Sequence, residues 1–323
     1  MANVLLTGGN GYIGTNLIPF LLSEKHHVRL AVRSKSDFCG HKNIECCLLG
    51  DLVEISDWSE ILQGIDYVIH LAARAHVINE SSRSPLELYG KVNSDLTLRL
   101  AQMASELNIK RFVYVSSIGV LGNSTLESGF FDNRSPYNPQ EAYAVSKMEA
   151  EIGLQEISDS TALEVAIVRP PLVYGPGAPG NFHRLLRLVD LGLPLPFGSM
   201  KVRKSLISVA NLSSLLVQCI STPLPRFSKF VVSDGSDWST ADLVRLIADQ
   251  MGKKITLLPV PVPFLEMVAF LFGRSKDVQK LSTQLLVDGG ETAKILGWKT
   301  VQFPKDGVKE AVDYYLAHKI QGR

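Results

Sequence analysis

The stretch "YAVSK" (143–147) sets a phenol and an amine four residues apart at the start of a helical pattern, so Tyr143 and Lys147 share one helix face. An ammonium beside a phenol favours phenolate, which predicts a Tyr143 pKa drawn from about 10 toward working pH. Such a phenolate takes the proton of a hydroxyl as hydride leaves the same carbon. In reverse it protonates a carbonyl oxygen as hydride arrives. A serine from "SSIGVLG" (116–122), at the end of the fifth strand pattern, would hold that oxygen. Tyr315 and Lys319 have the same spacing, but on a terminal helix where surface and core roles are expected. What sets Tyr143 apart is its place one helix after a Ser-Ser strand end.

Two further clusters suit a nucleotide. "TGGNGYIG" (7–14) follows a strand and opens a helix, with glycines at 8, 11 and 14. That arrangement permits a tight turn, a close approach to a pyrophosphate and a helix N-terminus aimed at the phosphates; otherwise it is only a tight turn. About twenty residues on, "LAVRSKS" (30–36) ends the second strand on Arg33, where a carboxylate would bond an adenosine ribose. Arg33, with Ser34, Lys35 and Ser36 behind it, suits a 2′-phosphate, or is a solvated basic turn. Asp51 and Leu52 close the third strand; Asp51 either bonds adenine, with Leu52 packed on the ring, or caps a helix.

The elements that must position these groups alternate. Strand patterns at 3–7, 27–33, 44–50, 66–72, 110–117 and 163–169 are interleaved with helical ones at 12–25, 54–63, 85–107 and 140–158. This predicts an α/β fold: a doubly wound parallel sheet with ligands outside the carboxyl ends of its strands. After Arg169 a Pro- and Gly-rich loop, "PPLVYGPGAPG" (170–180), marks a boundary. Mostly helical patterns follow, with short strands near 205–208 and 229–234 and two small helices in the tail. With 323 residues, 46% apolar and 20% charged, and net charge +1, the chain has the composition of a soluble globular protein with no call for nucleic acid. Cys39, Cys46, Cys47 and Cys219 lack zinc-ligand spacing and suggest no disulfide framework; Cys46 and Cys47 are expected to be small buried hydrophobes. "MANVLLTGG" enters a strand directly, which leads us to expect a cytoplasmic protein. "VPVPFLEMVAFLFG" (260–273) is too short to span a bilayer and is expected to be an amphipathic helix, with a membrane-surface or partner contact as the lesser reading.

Taken in order, "TGGNGYIG", "GDL", "VIHLAA", "VSSIGVLG", "YAVSK" and "RPPLVYGPG" resemble the extended short-chain dehydrogenase/reductase family, in its nucleotide-sugar epimerase/dehydratase/reductase branch. The resemblance covers nearly the whole chain. It implies an NAD(P)-binding Rossmann domain over 1–170, to which the chain returns near 205–234, and a smaller, mainly substrate-binding domain over 171–323. It implies Ser117, Tyr143 and Lys147 as the catalytic triad. Gly8, Gly11, Tyr12, Ile13 and Gly14 would cradle the pyrophosphate, and Asp51 and Leu52 would hold adenine. Leu71, Ala72 and Ala73 would line the cleft, Asn93 would lie near it, and Pro170 would approach the nicotinamide. Lys147 would also bond the nicotinamide ribose. On the substrate side it implies Asn181 on a sugar diphosphate, Phe197 against uracil, and Arg203 or Lys204 on the phosphates, with Arg274 a looser candidate.

Departures from the family pattern narrow the reaction. Ile118 and Gly119 stand where the family's dehydratases carry an Asp-Glu pair, and Gly119 also removes the glutamate of its decarboxylating members. The family's epimerases usually keep an acid after strand two and an asparagine after strand six; Arg33 and the "PPL" of 170–172 stand there instead, so the leading expectation is an NADP-preferring reductase of a UDP-4-keto-6-deoxy-N-acetylhexosamine used for surface polysaccharide, with NAD possible. The alternative is a UDP-glucose or UDP-N-acetylglucosamine 4-epimerase. A non-catalytic NADP-binding sensor is the reading of a different class. A homodimer, with no metal and no membrane span, completes the expectation.

Overall fold

The computed structural model describes residues 1–74, 85–126, 129–271, 273 and 275–321. Arg274 lies outside the described residues. Six strands follow the expected order: β1 (Asn3–Thr7), β2 (His27–Val32), β3 (Ile44–Leu48), β4 (Tyr67–His70), β5 (Arg111–Val115) and β6 (Glu164–Arg169). Further along come β7 (Leu172–Tyr174), β8 (Arg203–Ser208), β9 (Phe227–Val231) and β10 (Asp237–Ser239). The main sheet runs β3-β2-β1-β4-β5-β6-β9, every neighbouring pair parallel. A smaller sheet, β10-β8-β7, pairs β7 with β8 in parallel and β8 with β10 antiparallel.

The apolar runs of the main strands reflect burial on both faces. Alternate residues face opposite ways. Val4 and Leu6 of β1 pack with α1 (Tyr12–Ser23) and α7 (Val209–Ser221). Leu5 packs on the other side, with α2 (Ser59–Leu62), α4 (Leu96–Glu106) and α5 (Ala142–Ser160). A separate core gathers α6 (Asn181–Asp190), α8 (Thr240–Gln250) and α12 (Pro304–Gln321). The remaining helices are α3 (Pro85–Tyr89), α9 (Val262–Leu271), α10 (Ser275–Ser282) and α11 (Gly290–Leu296). Phe264, Met267, Phe270 and Leu271 of α9 are exposed. No helix among the described residues is long and apolar enough to cross a membrane.

Several expectations are corrected. The helix at 54–63 is instead a 3-10 turn, Leu52–Glu54, and the short α2, because Asp51 and Asp57 each turn a carboxylate onto nearby backbone N–H groups. The helix at 85–107 is interrupted by a π-helical stretch, Gly90–Asp95. Part of the supposed loop after Arg169 pairs as β7, and the tail ends in an 18-residue helix rather than a small one. Cys39 and Cys46 form a disulfide across the β2–β3 connection, and Cys47 is half-buried, so neither Cys46 nor Cys47 is a buried hydrophobe. Sequence spacing did not show that the turn after β2 brings Cys39 back onto β3.

Candidate active site

The carboxyl ends of β1, β4, β5 and β6 lie side by side, and the candidate residues cluster on them. Gly8 follows β1 with φ +70°, and a Cβ there would stand 2.8 Å from the backbone nitrogen of Ala72. A Cβ at Gly14 would collide with the Gly8 carbonyl. These two glycines let the turn fold against Leu71 and Ala72, with the Gly11 N–H donating to the Gly8 carbonyl at 2.9 Å. Gly11 caps α1, whose first turn carries no acidic side chain to compete with an anion. Ile13 packs partly buried on the main core. Tyr12 packs against the C-terminal core, its hydroxyl buried without a partner among the described residues and its pKa pushed up by burial.

Asn10, in the same turn, donates to the Ser34 carbonyl at 2.9 Å and so ties the glycine turn to the basic segment. Arg33, Ser34 and Lys35 are exposed, whereas Ser36 is buried and accepts from the Phe38 N–H. Asp51 accepts from the Val53 N–H at 3.1 Å, which makes it a cap, and Leu52 is buried. The competing capping explanation for Asp51 is the one the geometry displays.

Ser117 caps the 3-10 turn Ile118–Val120 by accepting from the Gly119 N–H at 3.1 Å. A Cβ on Gly119 would lie 3.4 Å from Ser117 Oγ and 3.5 Å from Ala144 Cβ, so the serine turn rests on the first turn of α5, beside Tyr143. The Ile118 N–H donates to the Pro170 carbonyl at 3.0 Å, bringing the end of β6 to the same place. Tyr143 is half-buried and meets Tyr89 edge to face at 6.0 Å. Lys147 is buried, donates to the Val115 carbonyl at 3.0 Å, and stands 4.5 Å from the Tyr114 ring centre but 6.0 Å from that of Tyr143.

The protonation states correct the expectation. Burial, with the neighbouring Tyr89, pushes Tyr143 up to about 12. Burial pushes Lys147 down to about 7 against the opposing pull of Glu151. With the lysine turned onto Val115, the desolvation of both groups outweighs their mutual attraction, and the free protein holds the phenol protonated.

Glu151 carried no earlier reading, and Asn93 was expected only to lie near the cleft. Glu151, one turn beyond Lys147, forms a fully buried ion pair with Arg169 at the end of β6 and accepts from the Tyr137 hydroxyl at 2.9 Å. Asn93 is fully buried in the π-helical stretch. Its amide accepts from the Arg74 N–H at 2.8 Å and donates to Ser146 Oγ at 3.0 Å, gripping α5 between Tyr143 and Lys147. Spacing four residues from Lys147 could have flagged Glu151; nothing local pairs Asn93 with Ser146.

The candidates on the C-terminal side are not drawn into this cluster. Asn181 begins α6 and is exposed, as is Arg203 at the start of β8. Phe197 is buried in the C-terminal core. Lys204 donates to the Lys280 carbonyl and is pushed down to about 8 by burial and the Lys280 charge. Lys280 in turn pairs with Glu141, the residue that caps α5, at 2.9 Å. Among the described residues no hydrogen bond or ring contact joins Asn181, Phe197 or Arg203 to Ser117, Tyr143 or Lys147.

Residues 4–221 match the NAD dependent epimerase/dehydratase family. The chain is 40% identical over 316 residues to the UDP-glucose 4-epimerase of Vibrio cholerae, covering 97% of this chain and 95% of the relative. Among solved structures, UDP-glucuronic acid 4-epimerase from Bacillus cereus in complex with NAD superposes with a TM-score of 0.79 at 20% identity, covering 98% of this chain and 99% of that one. UDP-N-acetylglucosamine 4-epimerase from Methanobrevibacter ruminantium M1, in complex with UDP-N-acetylmuramic acid, gives the same TM-score, identity and coverage.

Proposed function

The chain is an enzyme of the NAD dependent epimerase/dehydratase family, within the extended short-chain dehydrogenases/reductases, and we propose that it is a 4-epimerase of a UDP-hexose or UDP-N-acetylhexosamine. The observation that carries this reading is the near full-length identity with the Vibrio cholerae UDP-glucose 4-epimerase. A dinucleotide suits the residues present, because Gly8 and Gly14 let the turn fold tightly where a Cβ would strike backbone, and no side chain caps the N-terminus of α1. When bound, the nicotinamide supplies the hydride acceptor and donor. In its phenolate form Tyr143 would take the proton of the hydroxyl on carbon 4 and later return that same proton to the keto oxygen. Lys147, pushed down to about 7, is partly protonated at pH 7 and favours the phenolate when it carries its proton. Ser117, whose oxygen already accepts from Gly119, keeps its hydrogen to hold the sugar oxygen. Asn181 and Arg203, on the C-terminal side, are proposed to bind the nucleotide diphosphate.

A reductase of a UDP-4-keto sugar is the second reading. It is favoured by Arg33, exposed immediately after β2 and without an ion pair among the described residues, which suits the extra phosphate of NADP. The two readings separate in one pair of assays. The epimerase interconverts UDP-glucose and UDP-galactose, or their N-acetylated forms, without added cofactor. The reductase instead consumes NADPH stoichiometrically with UDP-4-keto-6-deoxy-N-acetylglucosamine and leaves the UDP-hexoses alone. Inactivity in both would remove the enzymatic proposal at carbon 4. Arg33→Ala, with NADPH and NADH affinities unchanged, would reduce Arg33 to a surface charge.

A further inference from the structure

Beneath the cleft, buried groups form one continuous hydrogen-bonded line. The Ala72 N–H donates to Thr7 Oγ1 at 3.2 Å, and Thr7 Oγ1 lies 2.7 Å from His70 Nδ1. His70 Nε2 lies 3.0 Å from Thr97 Oγ1, which donates to the Asn93 carbonyl at 2.9 Å. Thr7, His70, Thr97 and Asn93 are all 0% exposed, so water cannot repair a missing bond.

Counting hydrogens gives the line a direction. The Asn93 carbonyl receives both the Thr97 hydroxyl at 2.9 Å and the Tyr114 hydroxyl at 3.1 Å; with its one hydrogen used there, Thr97 accepts from His70, whose proton is then on Nε2. His70 Nδ1 then accepts the Thr7 hydroxyl hydrogen, while Thr7 accepts from Ala72. With the opposite tautomer, or with an imidazolium, the Thr7 hydroxyl would receive two N–H groups and its own hydrogen would have no acceptor. Burial and the Lys147 charge both oppose the imidazolium.

The two ends of the line are the two parts of the site. Thr7 immediately precedes Gly8, whose turn folds against Leu71 and Ala72. Asn93 grips Ser146, whose hydroxyl donates to the Tyr143 carbonyl at 2.8 Å. His70 also stacks on Tyr114 at 6.0 Å, and the Tyr114 ring lies 4.5 Å from the Lys147 ammonium. We propose that His70, locked as the Nε2–H tautomer, is a positioning residue that holds the glycine turn and the catalytic helix in register. This rests on the reading that the turn binds a dinucleotide and that Tyr143 and Lys147 act on the sugar.

The test replaces each half of the imidazole. In His70→Asn the amide occupies the place of Nδ1 and can accept from Thr7. In His70→Gln it occupies the place of Nε2 and can donate to Thr97. His70→Phe keeps the volume and neither bond. Dinucleotide Kd is read by fluorescence and kcat by turnover of whichever UDP-sugar the wild type accepts. The Asn variant should keep dinucleotide affinity and lose kcat about tenfold, the size expected of one unpaired buried group. The Gln variant should keep kcat and bind dinucleotide about tenfold more weakly, and Phe should lose both. A folded Phe variant equal to wild type, or Asn and Gln variants that behave alike, would overturn the proposal. Nitrogen-15 spectra of the wild-type histidines give a second reading independent of folding variants and of substrate. An unprotonated Nδ1 with a protonated Nε2 at His70 supports the assignment, and any other state overturns it. Wild-type protein that binds neither NAD nor NADP would instead remove the functional reading, with the tautomer still decided by the spectrum.

Discussion

The two ion pairs made by α5, Glu151–Arg169 and Glu141–Lys280, are built of the same kinds of groups and do different things. Glu151 and Arg169, 0% and 1% exposed, join α5 to β6, with the Tyr137 hydroxyl completing the carboxylate's bonds. Glu141 and Lys280, about half exposed, join the cap of the same helix to α10 on the C-terminal side. The contrast extends to the surroundings. The main-sheet side of the cleft is a buried polar assembly in which Thr7, His70, Thr97, Asn93 and Ser146 satisfy one another. The C-terminal side offers exposed Asn181 and Arg203 and an apolar helix face at Phe264, Met267, Phe270 and Leu271. Fixed groups suit chemistry that needs reacting atoms held in place; exposed ones suit a surface that can vary with the sugar and nucleotide.

The sharpest way to break this contrast is at its catalytic end. Tyr143→Phe should lower kcat by about 10²–10⁴-fold with dinucleotide affinity unchanged, as measured by steady-state turnover and equilibrium fluorescence. Retained turnover would mean that the buried side does not carry the proton transfer. Next in size, Glu151→Ala should cost about 3–5 kcal/mol of stability in denaturant unfolding, because it strands the Arg169 guanidinium in the interior. A loss under about 1 kcal/mol would place this pair with the surface ones.

A pH series sharpens the same point at Lys147. Its folded pKa, about 7, lies below the ordinary lysine value of about 10.5, so the unfolded chain binds more protons between the two. This contribution to stability is present above pH about 10.5 and is lost as pH falls toward 7. Lys147→Met should therefore raise Tm at neutral pH, flatten that part of the profile, and abolish turnover. An unchanged slope would show that Lys147 is solvated. The smallest effect belongs to Lys280→Ala, at about 0–1 kcal/mol, with salt screening the remainder. A larger loss would mean that the C-terminal helices brace α5 as firmly as β6 does.

Much of the site was legible because its signals are local. Gly8 and Gly14 sit where a strand turns into a helix, and Tyr143 and Lys147 are brought to one face by helical spacing alone. The position of Arg33, immediately after β2, was legible for the same reason. The partners of Asn93 and His70 were not legible: Ser146 is 53 residues from Asn93, and Thr7 is 63 residues from His70. The Cys39–Cys46 bridge was missed although it spans only seven residues, because its closure depends on the turn that precedes β3.

The order of elements, the parallel sheet and the chemistry of the individual groups were determined by the sequence, since two-residue and 3.6-residue periodicities act over a few neighbours. Protonation was decided only by tertiary structure. A phenol four residues from a lysine reads as acidic along the chain, but in the folded protein desolvation holds Tyr143 at about 12 while Lys147 turns to Val115. Burial is a property of the whole packed molecule, and it reverses what the pair alone would do.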